Sequence, residues 1–339
     1  MKAVKSVEAL KLEVIELPIP VPSDDEALIQ IKKVGICGSD IQIYHGLHRY
    51  MTFPVIQGHE GIGIVQSVGK NVSTLQKGDH VVLFPQVVCG KCYACRHGRS
   101  NVCESLKIIG VHANGLFSEY VSLKSENLIK IPETVSDDFA TLIEPLAVGV
   151  AAARKAGAAP GTNIVVLGAG TIGNLTAQAC KAAGARVLLA DPNGDKLKLA
   201  EKMGLACTGN NAEQKLSVLI EQSFEGNKPD AIIDCAAVDI SLQQAIENAA
   251  NSSRIVIVGN FKKPFELEIP KLQRREIDLL SIMMYMRQDF IRAVSLMAEN
   301  RVHVDEIITR HFPLEELPQA YQYIDENSRE IMKILIDVT

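Results

Sequence analysis

Over roughly the first 145 residues, apolar and polar positions alternate in short runs: ALIQIKKVGIC, EGIGIVQSVG, GDHVVLF and FSEYVSL, split by Gly, Asn and Asp. Runs rich in β-branched residues with this punctuation predict short strands and an all-β or α+β module. From about Pro145 the pattern changes to Ala-rich helical sequence and then to unbroken apolar runs, NIVVLG, RVLLAD, DAIIDCAA and RIVIVGN. Such runs lack the alternation of a half-exposed strand and predict strands buried on both sheet faces. Between them TIGNLTAQACKAAG and DKLKLAEKMG read as helices, each closed by a Gly suited to a C-cap. The alternation predicts a doubly wound parallel sheet, so the expected fold class is α/β with two domains. An amphipathic helix, DFIRAVSLMAEN, and a last strand, REIMKILIDV, follow; no internal repeat or low-complexity segment is present.

The run IVVLGAGTIG sets Gly168, Gly170 and Gly173 in G-x-G-x-x-G spacing where a strand passes into a helix. The first glycine permits the tight turn, the second lets a pyrophosphate approach the backbone, and the third lets helix and strand pack closely. The helix amides then face the anion. Thr171 and Ile172 open that helix, and Val258 and Gly259 end a later strand at the same edge. About 20 residues on, RVLLAD ends in Asp191, an acceptor for both ribose hydroxyls of NAD and a repellent for a 2′-phosphate. Lys196, one helical turn further, can pair with Asp191, tolerate a phosphate, or simply lie on a solvated face.

Length and charge narrow the picture. A chain of 339 residues exceeds the usual span of one core, so two domains are expected. A net charge of -5 without a long Lys/Arg run offers no concentrated positive field for phosphate backbones, so nucleic acid is not expected as a partner. The amino terminus lacks the apolar block of a secretion signal and no stretch is long enough to span a membrane, so a cytoplasmic protein is expected. Of eight cysteines, five sit in metal-like settings; Cys180, Cys207 and Cys235 are scattered among apolar residues and read as small buried hydrophobes. A reducing compartment fits this usage.

Cys89, Cys92, Cys95 and Cys103 form C-x2-C-x2-C-x7-C in a compact polar loop, a closed tetrahedral set for a structural zinc. An iron–sulfur cluster is the rival, but there is no Cys-Pro signature and the loop follows a β module. Cys37 in VGICGSD and His59-Glu60 in QGHEGIG are a second candidate ligand set with glycine-flanked, polar surroundings.

Gly58, His59, Glu60, Gly63, Gly69 and Val72 satisfy the pattern GHE-x2-G-x5-G-x2-V. With the CGSD turn, the four-cysteine lobe, GVHANGLFSEY, IEPLAVG and GAGTIG in the same order, the chain resembles the zinc-dependent medium-chain dehydrogenase/reductase family over essentially its whole length. Glu144 in IEPLAVG places it on the sorbitol-dehydrogenase-like branch. The resemblance implies a GroES-like β-rich catalytic domain over residues 1–147 and 289–339, carrying the structural-zinc lobe at 89–103, and a Rossmann NAD-binding domain over 148–288. It also implies two zinc ions per chain, with Cys37 and His59 as catalytic ligands and Glu60 or Glu144 completing the set. Asp40 would accept a hydrogen bond from the second nitrogen of His59, or cap the following helix, or both. Zinc would act as a Lewis acid on an alcohol, hydride would pass to NAD, and Ser39 would relay the proton.

One position departs from the family. The outer end of the relay is often His, and here it is Gln42, which cannot titrate; His45, Tyr44 or water are the substitutes. His48, Arg49 and His112 are weaker substrate-site candidates. Relatives also carry a basic residue in the segment that begins at Ser281, where SIMMYM supplies Met283 and Met284. The expected substrate is therefore a secondary alcohol of a polyol, sugar or sugar acid, its charge open, with a small diol or a threonine-type substrate as the alternative. A zinc-free quinone-reductase relative would lack both ligand sets, and an inactive structural protein on this fold would have lost the ligands or the glycine motif. Relatives are usually dimers or tetramers, so a homo-oligomer is expected.

Overall fold

In the strand Glu26–Gly35, Ala27, Ile29 and Ile31 turn into the core while Leu28 and Gln30 are only half-buried, as a period of two requires. A bulge between Ile31 and Lys33 resets the phase, so that Val34 and Gly35 are buried next. This strand pairs antiparallel with Glu60–Val68 along its length, with Tyr120–Lys124 along its first half and with Lys333–Asp337 at its end. Ile308–Pro313, His80–Leu83 and Leu128–Lys130 complete a seven-stranded, mostly antiparallel sheet. An amino-terminal hairpin, Lys2–Glu8 with Lys11–Glu16, is an addition that alternation alone did not mark.

A computed structural model describes residues 1–48, 51–328 and 330–339. It divides into one unit of Met1–Glu144, Met297–Glu299 and Ile308–Thr339 and a second of Pro145–Leu296 and Asn300–Ile307. No helix among the described residues is long and apolar enough to cross a membrane.

The second unit holds six strands in the order Thr208–Gly209, Arg186–Ala190, Asn163–Leu167, Ala231–Asp234, Arg254–Ile257, Asp278–Ser281, every pair parallel. That is the doubly wound order whose reversal point lies beside the first strand. Asn163–Leu167 and Ala231–Asp234 are buried at every position, the burial that their unbroken apolar runs predict. Gly149 lets the helix Ile143–Ala156 approach the helix Thr171–Ala182, since a Cβ there would stand 2.9 Å from the Leu175 backbone. Of the three scattered cysteines, Cys180 is buried and Cys235 half-buried, whereas Cys207 is exposed. The apolar neighbours of Cys207 in sequence do not bury it, because it precedes a strand of only two residues at the sheet edge.

The glycine turn is where sterics are tightest. A Cβ on Gly173 would lie 1.7 Å from the Gly168 carbonyl oxygen, whereas one on Gly170 meets nothing within 4 Å. Gly173→Ala therefore has to displace backbone, and it is expected to lower unfolding stability by at least about 1–3 kcal/mol. Gly170→Ala is expected to leave the melting temperature unchanged. Thermal unfolding of the two variants side by side checks this; equal stability would show that the turn does not need its third glycine for packing.

Candidate functional site

All eight cysteines are free thiols, and Cys89, Cys92, Cys95 and Cys103 place their sulfurs within 4.8 Å of one another. The separations are 3.5 Å for Cys89–Cys103 and 3.9 Å for Cys92–Cys103. Four thiolates about 2.3 Å from one zinc stand ~3.8 Å apart at tetrahedral angles, and these two separations match that spacing. Backbone N–H groups of Cys89 and Ser105 point at the Cys103 sulfur and that of Cys92 at Cys89. A hydrogen bond from the Cys95 amide pulls the Cys92 thiol down to about 6, while burial and its sulfur neighbours push Cys95 up to about 12. The last thiol of such a set ionises when a cation arrives.

The second set gathers on the adjoining strand ends of the same unit. Cys37 follows Glu26–Gly35 and caps the helix Gly38–Tyr44; Glu60 opens Glu60–Val68 directly opposite Gly35, with His59 before it. Their ligand atoms lie within 4.8 Å of one another, and His59 and Glu60 are buried. Gly35 makes room for the carboxylate, because a Cβ there would stand 2.6 Å from Glu60 Oε2. Glu144, 7% exposed, stands in the first turn of Ile143–Ala156 and contributes its charge to the same centre. Although burial works against a charged imidazole, Asp40, Cys37 and Glu144 outweigh it and hold His59 well above its ordinary value. A centre that stabilises positive charge so strongly is one into which a divalent cation fits.

Of the two roles read from the sequence, Asp40 takes the one at the start of the helix and faces His59 without a hydrogen bond to it. Its Oδ2 accepts from the Cys37 amide at 2.9 Å, while Oδ1 stands 3.7 Å from His59 Nδ1, an ion-pair distance longer than a hydrogen bond. Both Oδ1 and His59 Nδ1 are buried without a hydrogen-bond partner among the described residues. Behind the helix, Gln57 Nε2 donates to the Asp40 carbonyl, and Gln57 Oε1 accepts from Ser6 and Tyr321 hydroxyls. Ser39 sits in the first turn of that helix, half-exposed beside Cys37.

The two relay substitutes are engaged elsewhere: Tyr44 stacks on Tyr321 at 4.7 Å between ring centroids, and His45 meets Asp325 at 3.0 Å. His48 and His112 come together, rings 6.4 Å apart, and burial lowers both below the ordinary imidazole value. Arg49 lies outside the described residues. Met283 is exposed, and Met284 is half-buried with φ of +50°.

Sequence reasoning missed Lys333. Its ammonium is buried, donates to Glu60 Oε2 at 2.5 Å and to the Ile36 carbonyl at 3.0 Å, and is held above its usual value because Glu60, Cys37 and Glu144 outweigh the burial that would lower it. The available signal was a single Lys within the apolar run IMKILIDV.

In the second unit, Gly168 has φ of +99°, and Gly170 caps Thr171–Ala182, the helix that Thr171 and Ile172 begin. Asp191 reaches back across the turn, accepting from the Ala169 amide at 2.6 Å and from that of Asn193 at 2.7 Å. Buried Asn174 secures the same turn by donating to the Ala169 carbonyl, a tie that glycine spacing did not reveal. Lys196 is half-buried in the first turn of Gly194–Lys202, which Asn193 caps. Val258 and Gly259 donate their amides to the Asp234 carbonyl, and Gly259 has no room for a Cβ, which would meet that of Ala237 at 2.6 Å. The open space at Gly170 beside a helix N-terminus of 12 residues fits the close approach of a pyrophosphate.

Both parts of the chain match known protein families. Residues 23–133 match the alcohol dehydrogenase GroES-like domain and residues 171–299 the zinc-binding dehydrogenase family. Over 319 residues, 94% of this chain and 93% of the relative, the sequence is 34% identical to L-galactonate-5-dehydrogenase of Escherichia coli K12. It is 30% identical to sorbitol dehydrogenase of Bacillus subtilis 168, over 99% of this chain and 97% of that one. A crystal structure of an alcohol dehydrogenase from Escherichia coli CFT073, complexed with NADH, superposes with a TM-score of 0.91 at 31% identity over 99% of both chains. The chain belongs to the zinc-type medium-chain alcohol dehydrogenase family, a two-part GroES-like and Rossmann-like oxidoreductase.

Removing the ammonium that faces Glu60 leaves a buried carboxylate uncompensated. Lys333→Met is expected to lower unfolding stability by about 3–5 kcal/mol, and the double variant with Glu60→Gln to recover much of that loss. Denaturant unfolding with a double-mutant cycle checks this. A loss below about 1 kcal/mol, typical of an exposed pair, would contradict the buried geometry.

Proposed function

We propose that this enzyme transfers hydride between a secondary alcohol of a polyol, sugar or sugar acid and NAD. The observation that carries the reading is the set of half-buried Cys37 with buried His59 and Glu60, whose ligand atoms converge within 4.8 Å in the unit that also holds the four-cysteine lobe. When bound, the catalytic zinc supplies Lewis acidity to the alcohol oxygen and the nicotinamide supplies the hydride acceptor.

The chain's own residues do the rest. Cys37 and His59 hold the catalytic ion with a carboxylate, and Glu60 is the one in ligand reach, restrained by Lys333. Glu144 adds negative charge to the same centre. Asp40 orients the His59 ring and fixes the Cys37 turn. Ser39 takes the proton from the substrate hydroxyl and passes it to solvent, because Gln42 cannot accept it and Tyr44 and His45 are committed to other contacts. Cys89, Cys92, Cys95 and Cys103 hold a second zinc as a closed structural site.

NAD is the coenzyme because Asp191 stands where the ribose hydroxyls bind. Its carboxylate oxygens each accept one backbone hydrogen bond and retain lone pairs for the ribose. L-galactonate-5-dehydrogenase is named for a sugar acid and sorbitol dehydrogenase for a neutral polyol. The methionines Met283 and Met284, where a base would pair a carboxylate, favour the neutral class. A homo-oligomer in the cytoplasm completes the reading.

Two measurements follow. Asp191→Ala is expected to weaken NAD by several-fold or more, at about 1 kcal/mol per lost hydrogen bond, and NADP by less. Higher kcat/KM for NADP in the wild type would show the coenzyme assignment to be wrong. On substrate, neutral polyols are expected to react at least as well as aldonates of matching stereochemistry, and Met284→Arg to shift preference toward the acid. A strong wild-type preference for the aldonate would return the enzyme to the sugar-acid class.

A further inference from the structure

Away from the glycine turn, three helices of the second unit surround a cavity of about 640 Å³. Ile143–Ala156 presents Val150 and Arg154 to it, Thr171–Ala182 presents Ala179 and Ala182, and Arg287–Ala298 presents Asp289 and Arg292. These are positions three or four apart, so each helix turns one face toward the cavity. Most of the apolar wall is alanine. Side chains that short leave the space between the helices unfilled, whereas a packed interior holds few voids larger than a water molecule. The volume is that of a small-molecule pocket.

The polar side of the cavity carries an excess of positive charge, with the guanidiniums of Arg154 and Arg292 against the single carboxylate of Asp289. Asp289 is 2% exposed and already paired: Oδ1 accepts from Arg154 Nε at 2.7 Å, and Oδ2 accepts from Arg154 Nη2 at 2.8 Å and from the Met286 amide at 2.8 Å. It therefore offers little to a cation. The same fork holds the Arg154 guanidinium in one orientation by one edge. Its other edge is open, because Nη1 donates to nothing among the described residues and the side chain is 44% exposed. An open guanidinium edge that is already oriented matches the paired oxygens of a carboxylate or phosphate.

We propose that this cavity is a second ligand site, for a small organic anion with a compact apolar body. The body lies on the alanine wall and the oxyanion head pairs with the open edge of Arg154. No residue of the cavity belongs to the glycine turn, to Asp191 or to either metal set, so the site is independent of the coenzyme and zinc readings.

Calorimetry on the zinc-replete enzyme tests it with 2-naphthoate and 2-naphthyl phosphate, which carry one apolar body under the two head groups, and with NADH present to fill the coenzyme site. Wild type is expected to bind at least one of them saturably. Arg154→Leu with Asp289→Asn removes the ion pair without stranding a buried charge and keeps an acceptor for the Met286 amide; it is expected to weaken that binding by about tenfold or more. Ala182→Phe, which fills the cavity from its wall, is expected to abolish it while zinc content and kcat stay unchanged, and carries the test alone if the double variant does not fold. Absence of saturable binding by both probes overturns the proposal. So does wild-type affinity retained in either folded variant, since the anion would then sit elsewhere, as on the catalytic metal.

Discussion

Gathering the buried carboxylates Asp40 and Glu60 beside an imidazole and a half-buried thiol is costly without positive charge among them, and the first unit is arranged around that requirement. Glu60 is 1% exposed and Asp40 fully buried, so each has lost its hydration. Lys333 supplies one compensating charge directly, and the centre between Cys37 and His59 is left for a metal ion to supply the rest. The backbone is cut to suit: Gly35 clears space for the Glu60 carboxylate, and the pairing of Gly35 with both Glu60 and Leu335 draws the carboxy-terminal strand, and with it Lys333, to the same place.

The second unit answers a different constraint, that of bringing an anion against backbone. Its parallel strands end at one edge, and the turn after the first of them is closed by Gly168 and Gly173 and tied by Asn174 and Asp191. Asp191 therefore has two duties, since the carboxylate that would hold a ribose also accepts the amide of Ala169 within the turn. A rigid turn matters for a redox enzyme because the coenzyme must be held without reorganisation while hydride moves.

What could be read from the sequence was what lies close together along the chain. The glycine fingerprint, the four cysteines and His59-Glu60 each express their geometry through spacing of a few residues, so their chemistry was visible before the fold. The buried parallel strands were visible for the same reason, as unbroken apolar runs bounded by glycine. Lys333 was not, because its partner Glu60 is 273 positions away and the contact exists only once the last strand pairs with Glu26–Gly35. The same holds for Tyr321 on Gln57, separated by 264 positions. Residue type alone also misled at Cys207, whose exposure is decided by its place at the sheet edge rather than by its apolar neighbours. The choice between Glu60 and Glu144 could not be made from spacing, since it depends on which side chain the strand ends bring into ligand reach.

The central claim is that two different ligand sets hold zinc, one closed by four sulfurs and one built from sulfur, imidazole and carboxylate. Anomalous diffraction at the zinc edge from crystals of the metal-replete enzyme tests it most directly. The account predicts two peaks per chain, one among Cys89, Cys92, Cys95 and Cys103 and one beside Cys37, His59 and Glu60. A chain whose anomalous density lay at the four cysteines alone, with Cys37, His59 and Glu60 ordered and no metal between them, would contradict it.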